Sequence, residues 1–416
     1  MSCKLFLGAA LLAVPFFGTS ASESITWRKQ TITQEFWAEG ACVGDVNRDG
    51  HLDILSGPFW HEGPAFTNRH EIYPATARHP VEGQEGKFAR GFLGFLSGRN
   101  GYSDNFLSFS ADLNGDGWTD YLVVGFPGKE TYWYENPGRA QTSPWRRHLA
   151  LARTDNESPS LADITGDGKP ELICMNARAL GYASPDPEQP AAPWIWRTVG
   201  RNEVWNWNTH GLGYGDVNGD ERIDLLTAHN WWEQPASLAG DALWKKHDAI
   251  FNNGGSQMFV RDVDGDGAGD VITAYEGHGY GLYWHQQLKD EKGARQWKRY
   301  VIAGSPTEPG ETGIVFSQPH AVDLADVNRD GQPDIITGKR IWAHGPDGDA
   351  DPNGAAVLYW FELQRVNGQA KFVGHLIDSD SGVGTQVMAA DVNQDGKVDV
   401  VAANKKGLFV HFQTGR

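Results

Sequence analysis

The chain carries 416 residues, among them 36 Lys and Arg against 53 Asp and Glu, for a formal net charge of −17. No basic stripe rises above this acidic background, which excludes a nucleic-acid-binding surface. Hydrophobic content of 40% with 51 Gly and 17 Trp suits an all-β protein of tight turns and aromatic-rich strands.

At the N-terminus Lys4 is followed by the apolar run Leu5 to Phe17 and by Thr19-Ser20-Ala21. This is the pattern of an export signal, residues 1–21, cleaved near Ala21. The run is too short for a membrane anchor and no second run of spanning length follows. The mature protein is therefore expected to be soluble and exported, either periplasmic or secreted. Cys3 leaves with the signal, while Cys42 and Cys174 fall in strands of different repeats and read as buried free thiols.

From Asp45 onward one nine-residue loop recurs seven times, first as DVNRDGHLD with Asp45, Asn47, Asp49 and Asp53 at positions 1, 3, 5 and 9. The second copy offers Asp112, Asn114, Asp116 and Asp120, and the third Asp163, Asp167 and Glu171. Asp216, Asn218, Asp220 and Asp224 follow in the fourth, then Asp262, Asp264, Asp266 and Asp270 in the fifth. The last two hold Asp326, Asn328, Asp330 and Asp334, and Asp391, Asn393, Asp395 and Asp399. Such oxygen sets can surround calcium, with a carbonyl from position 7 and Gly at position 6 for the sharp turn. Position 7 varies freely, from His51 through Trp118 to Lys397, as expected if only its backbone is needed. Asp, Asn and Gly also make tight turns without metal, but sevenfold recurrence favours calcium. Two copies depart from the pattern: Glu221 replaces the Gly of the fourth, and Thr165 and Glu171 alter the third.

A short apolar strand follows every loop, as in Ile54-Leu55 and Val400-Val401, so each loop joins two strands. An aromatic third strand comes next, clearest in Thr131 to Tyr134 and Val357 to Phe361, and then a basic outer strand such as Trp145-Arg146-Arg147-His148. Four strands repeated seven times without helical periods predict a seven-bladed β-propeller spanning residues 25–416 as one domain. The last unit stops at its third strand, Leu408 to Gln413, and an outer strand at Trp27 precedes the first loop. The N-terminal strand should therefore complete the seventh blade.

These loops resemble the FG-GAP or VCBS repeats of integrin-α-type propellers over nearly the whole mature chain. Within that group Ser56 to Pro64 (SGPFWHEGP), Tyr132 to Gly138 (YWYENPG) and Gly338 to Gly345 (GKRIWAHG) resemble the propeller domain of aldos-2-ulose dehydratases.

In a propeller of this kind the first strand lines the channel and runs down to the calcium loop. Residues about six positions before each loop then form the opposite mouth: Glu39, Asn105, Glu157, His210, Gln257, His320 and Gln386. Second strands should return there at His61, Arg178, His229, Glu276 with His278, Lys339 with Arg340 and His344, and Lys405 with Lys406. His and Glu can remove a proton next to a carbonyl, while a Lys/Arg pair or a metal stabilises the enolate. His210, His320, Glu157 and Glu39 supply donors for one catalytic divalent metal, and Lys339, Arg340 and His344 complete the expected catalytic set.

The dehydratase resemblance implies this same reaction class on a keto-sugar. Trp60, His61, Arg178, His229, His278 and Trp342 are the expected substrate contacts. For Trp60, Trp207, Trp231, Trp232 and Trp342 two roles stay open, stacking on a sugar face or packing between blades. The excursions Thr76 to Ser103 and Ser305 to Ser317 read as lids over the mouth or as tolerated insertions. A carbohydrate-binding propeller or a protein-interaction propeller remains the alternative to a lyase, because fold alone does not choose.

Overall fold

The computed structural model describes residues 24–94, 100–140, 142–201, 205–240, 243–366 and 368–415. The expected export signal at 1–21 lies outside them. Blade 1 shows the repeated plan: Cys42–Gly44, Asp53–Ser56, Phe59–His61 and Arg69–Glu71 pair in sequence order from the channel outward. The plan recurs to give a seven-bladed β-propeller. Arg146–Ala162 serves two blades, since its first half pairs with Lys129–Glu135 as the outer strand of blade 2. Its second half pairs with Glu171–Asn176 as the inner strand of blade 3. The inner strands of blades 4 and 5, Leu212–Gly215 and Gln257–Arg261, run parallel side by side.

The ring closes through the N-terminal strand. Trp27–Thr33 pairs antiparallel with Gly407–Gln413 as the outermost strand of blade 7, Trp27 opposite Gln413 and Thr31 opposite Phe409. Lys29 reaches Asp378 on the outer strand of blade 6 at 2.9 Å, and Arg28 lies over the Phe412 ring at 4.2 Å.

Second strands are buried on both faces, as in Asp53–Ser56, Asp224–Thr227 and Asp334–Gly338, which explains their unbroken apolar runs. Their side chains pack blade on blade. Ile272 and Trp284 of blade 5, for example, meet Ile335 and Phe361 of blade 6. On the outer half of four blades a third-strand Trp stacks on a fourth-strand His: Trp60 on His70, Trp133 on His148, Trp231 on His247 and Trp360 on His375, at 3.9–4.3 Å. The His then pairs with the Glu two residues after that Trp, as His148 does with Glu135 at 2.7 Å.

This packing corrects several sequence expectations. Trp60, Trp231 and Trp232 are buried within the blades and present no face to a sugar. His61 is not at the mouth. Gly57, at φ +59 with its Cα against Trp37, ends the second strand at Ser56, so His61 belongs to the third strand opposite Ile54, near the loop face. Burial lowers its pKa to about 4. Ser305 to Ser317 is no lid, because Glu311 and Thr312 donate to the carbonyls of Val301 and Ile302 and hold it against blade 5. Within Thr76 to Ser103, Arg78–Pro80 and Phe88–Arg90 form a hairpin, and residues 95–99 lie outside the described set.

The loops share one hydrogen-bond plan. The position-1 carboxylate accepts the position-6 amide, as Asp45 does from Gly50 at 3.1 Å, and the position-5 carboxylate accepts the position-7 amide. Position 9 does more than the sequence suggested. Asp53 accepts from Val46 and Gly63, and Asp399 from Val392 and Gln413, so this residue ties the loop to the end of the third strand. Neighbouring loops are also linked: Arg48 donates to the Gly117 carbonyl, Arg329 to that of Gly396, and Gln394 to that of Gly50 at 2.8 Å.

Glu221 keeps the loop conformation at φ +66, and its amide still reaches Asp216 at 2.8 Å. An L-residue with a Cβ is strained there, by about 1 kcal/mol. Glu221→Gly is therefore expected to raise the urea midpoint by about that amount of stability. A lower midpoint would mean that the Glu221 side chain contributes more than the strain it imposes.

Candidate functional site

Inner strands start at the channel mouth and end at the loops. Glu157 precedes Asp163, His210 precedes Asp216 and His320 precedes Asp326 by six positions each, a span of about 20 Å in extended chain. Local bends aim these side chains inward. Asn156 takes φ +80 just before Glu157 and Gln318 takes φ +58 two residues before His320, while the Glu157 amide is held by the Thr209 carbonyl at 3.0 Å. His278 arrives from the turn between the second and third strands of blade 5.

Four side chains from blades 3, 4, 5 and 6 thus converge. Donor atoms of Glu157, His210, His278 and His320 all lie within 4.8 Å of one another. Glu157 Oε2 is 3.1 Å from His320 Nε2 and 3.4 Å from His210 Nε2, and the Nε2 atoms of His210 and His278 are 2.8 Å apart. His320 is fully buried, yet neither ring nitrogen makes an aligned hydrogen bond. His210 and His278 share a hydrogen bond, and the four donors together form a set that could hold a metal ion.

The electrostatics agree. Burial pushes the Glu157 carboxyl up, but interactions with His210 and His320 outweigh it and hold it well below the usual carboxylate range. Burial, then the Arg340 charge, holds His320 well below the usual imidazole value, and burial also lowers His278. An ionised carboxylate beside neutral imidazoles is the protonation state metal ligation requires.

Behind the cluster sits a buried ionic layer. Glu39 accepts from Arg340 Nη2 at 2.6 Å and lies 3.3 Å from Lys405 Nζ, and Arg340 Nη1 is 3.6 Å from Glu157. Glu39 is thereby committed to cations and is not one of the converging donors. Burial lowers the Lys405 pKa to about 8 against the opposing pull of Glu39. In front, Asp349 accepts from His344 Nδ1 at 2.8 Å and lies 3.4 Å from His278 Nδ1, and the two rings stack at 4.6 Å. His344 is the exposed member, with its side chain 58% accessible.

Other expected site residues stand elsewhere. The Lys339 ammonium is buried against Ser317 and the Asp351 carbonyl. Trp342 is buried with its indole donating to the Pro352 carbonyl at 2.8 Å, so it offers no stacking face. Arg178 and His229 occupy exposed turns between second and third strands of blades 3 and 4, outside the four-donor cluster. Gln257 and Gln386 bridge inner strands instead of lining a site, Gln386 bonding both backbone groups of Ser108 and Gln257 spanning from Thr385 to Val322, while Asn105 donates to the Tyr121 hydroxyl within blade 2 at 2.6 Å. Sequence reasoning missed Asp349 and Tyr102, and gave Lys405 no role. The first two lie in irregular connections without a repeat position to flag them, whereas Lys405 follows a second strand at the repeat position that Arg340 holds in blade 6.

On the opposite face the loops present all-oxygen donor sets suited to a hard cation. Carboxylate oxygens of Asp163, Asp167 and Glu171 lie within 4.8 Å of one another, as do those of Asp262, Asp264 and Asp270. Glu171 reaches into the loop to accept from the Ile164 amide and the Thr165 hydroxyl, so the altered third copy keeps its acidic centre.

The FG-GAP-like repeat family matches residues 112–174 and 262–337. No curated protein matches the chain. Among solved structures it is similar to an Agrocybe aegerita lectin described as recognising non-reducing terminal N-acetylglucosamine, at 18% identity over 90% of this chain and 84% of that one, TM-score 0.46. It is also similar to BBS1N in complex with ARL6DN, at 10% identity over 93% and 97%, TM-score 0.48. The V. cholerae biofilm matrix protein Bap1 is similar at 12% identity over 94% and 84%, TM-score 0.39. The chain is thus a seven-bladed β-propeller carrying FG-GAP-like repeats, matched from blade 2 into blade 3 and from blade 5 into blade 6.

Proposed function

We propose that the mouth holds a divalent transition metal on Glu157, His210, His278 and His320 and performs β-elimination next to the carbonyl of an oxidised sugar. The observation that carries this reading is the convergence of one carboxylate and three imidazoles within 4.8 Å where blades 3 to 6 meet. Three nitrogen donors favour zinc, manganese or iron over magnesium or calcium. Bound there, the metal supplies Lewis-acid stabilisation of the negative charge that develops on a carbonyl oxygen.

The chain's own groups do the rest. His344, exposed and oriented by Asp349 through Nδ1, has Nε2 free to take the proton from the carbon beside the carbonyl and to return it to the departing oxygen. Asp349 also lies 3.4 Å from His278 Nδ1, and His278 Nε2 faces His210 in the cluster. Arg340 lies 3.6 Å from Glu157, and Glu39 with Lys405 balances Arg340. Incubation with 2-keto or 3-keto sugars is the test: an enone absorbing in the ultraviolet is expected, and its absence with all such sugars, alongside sugar binding, would leave a lectin-like propeller instead.

The same proposal includes calcium in the loops and export of the chain. Burial raises the position-9 carboxyls, Asp120 and Asp334 to about 7, with the neighbouring loop acids adding to the rise. A bound cation offsets this crowding only in the folded ring, so calcium stabilises by linkage. Chelation with EDTA is expected to lower the melting temperature by several degrees or more, restored by calcium but not by magnesium. An unchanged melting curve, with no calcium in the purified protein, would remove this reading.

A further inference from the structure

Trp207 alone among the 17 tryptophans is exposed, at 39%. It stands on the connection into blade 4, and its carbonyl accepts the Asn156 amide at 2.8 Å, one residue before Glu157. Phe126 lies 5.8 Å from it and Tyr102 lies 4.8 Å from Phe126, both rings half-buried. Tyr102 is fixed by its hydroxyl bond to the Ala343 carbonyl, and the Lys405 ammonium lies 4.6 Å from its ring centre. The mouth is therefore two-sided. Aromatic rings follow one another along blades 2 and 3, and imidazoles of His210, His278 and His344 stand on blades 4 to 6.

We infer that this aromatic arc binds the second ring of a glycoside whose first, oxidised ring occupies the imidazole side, and that the substrate is a 3-keto glycoside. The inference rests on the proposed elimination. With the carbonyl at C3, the acidic proton is on C2 and the β-substituent is the glycosidic oxygen on C1. Proton transfer from C2 to His344 forms the enolate, the C1–O bond breaks as the C1=C2 bond forms, and the departing oxygen takes the proton back. The products are an enone and an intact alcohol, with no oxidant or reductant consumed. A leaving group on C1 must lie beside the cluster, which is where the aromatic arc begins. An apolar face rather than a charged one suits a sugar ring or an aryl aglycone.

The probes are p-nitrophenyl β-D-glucopyranoside, cellobiose and glucose, titrated calorimetrically into the full chain. The two-ring probes are expected to bind at least about tenfold tighter than glucose. Trp207→Ala should shrink that ratio about tenfold, and Trp207→Phe should retain most of it, since stacking survives on a smaller ring. The inference is overturned if glucose binds as tightly as the two-ring probes, if no probe binds, or if Trp207→Ala leaves the ratio intact. The 3-keto form of the nitrophenyl glucoside separates the two claims. Tight binding and a Trp207-dependent ratio without p-nitrophenol release would sink the elimination and the 3-keto assignment, yet keep the subsite.

Discussion

Glu157→Gln and His320→Ala are each expected to reduce enone formation by about two to four orders of magnitude, as loss of an acid/base group or a metal ligand does. The two substitutions act differently. Gln has the shape of Glu but no charge, so Glu157→Gln removes the anion at the centre of the cluster while Arg340 keeps its bond to Glu39 at 2.6 Å. The fold should survive this change. His320→Ala opens a void at a fully buried position and leaves Glu157 with His210 and Arg340 only. Some stability is lost with the activity, which is why the isosteric variant is the cleaner of the two. Steady-state rates measured alongside circular dichroism would check this. Near-full turnover in folded Glu157→Gln would place the chemistry outside the cluster.

Removing residues 24–33 is expected to be the most damaging change to the fold. The deletion strips the outer strand from blade 7 and uncovers the edge of Gly407–Gln413, together with Phe409 and Phe412, which are now buried. Exposing two such rings costs about 1.5–3 kcal/mol each, before the lost strand pairing and the Lys29–Asp378 bridge are counted. Set against a usual stability of about 5–15 kcal/mol, this is enough to populate an unfolded or associating state, since an open apolar edge also invites pairing between copies. Light scattering and thermal unfolding of the shortened chain give the answer. A monomer with an unchanged melting temperature would mean that blade 7 does not need this strand.

Acid should loosen the same closure. Asp378 is held well below the usual carboxylate value: burial opposes this, but bonds from His411 and Lys29 prevail. A depressed carboxyl stabilises the fold above its unfolded pKa and loses that contribution as pH falls through the folded value, so the closure weakens below about pH 4.

The ring was legible because its signal repeats. Loops that recur with apolar strands behind them fix strand order and direction, and from direction alone Glu157, His210 and His320 could be assigned to one mouth. Their convergence with His278 could not be read, because it depends on the bends at Asn156 and Gln318, where non-glycine residues take positive φ. His61 was misplaced for a related reason: a second strand of only four residues and a tight turn at Gly57 put it on the descending strand. The tryptophans carried two readings each because inter-blade packing and sugar stacking ask for the same residue. Burial separates them, leaving Trp207 at the surface and sending Trp60, Trp231, Trp232 and Trp342 inside. Asp349 and Tyr102 come from irregular connections, whose course no periodicity sets.

Metal content decides most directly whether the mouth is a metal centre. The protein, saturated with calcium to fill the loops and then loaded with zinc or manganese, would be dialysed and assayed for bound elements next to a His210→Ala/His278→Ala variant. About one equivalent of transition metal per chain is expected in the parent protein and far less in the variant, with calcium unchanged between them. Equal retention in both, or none in either, would contradict the account.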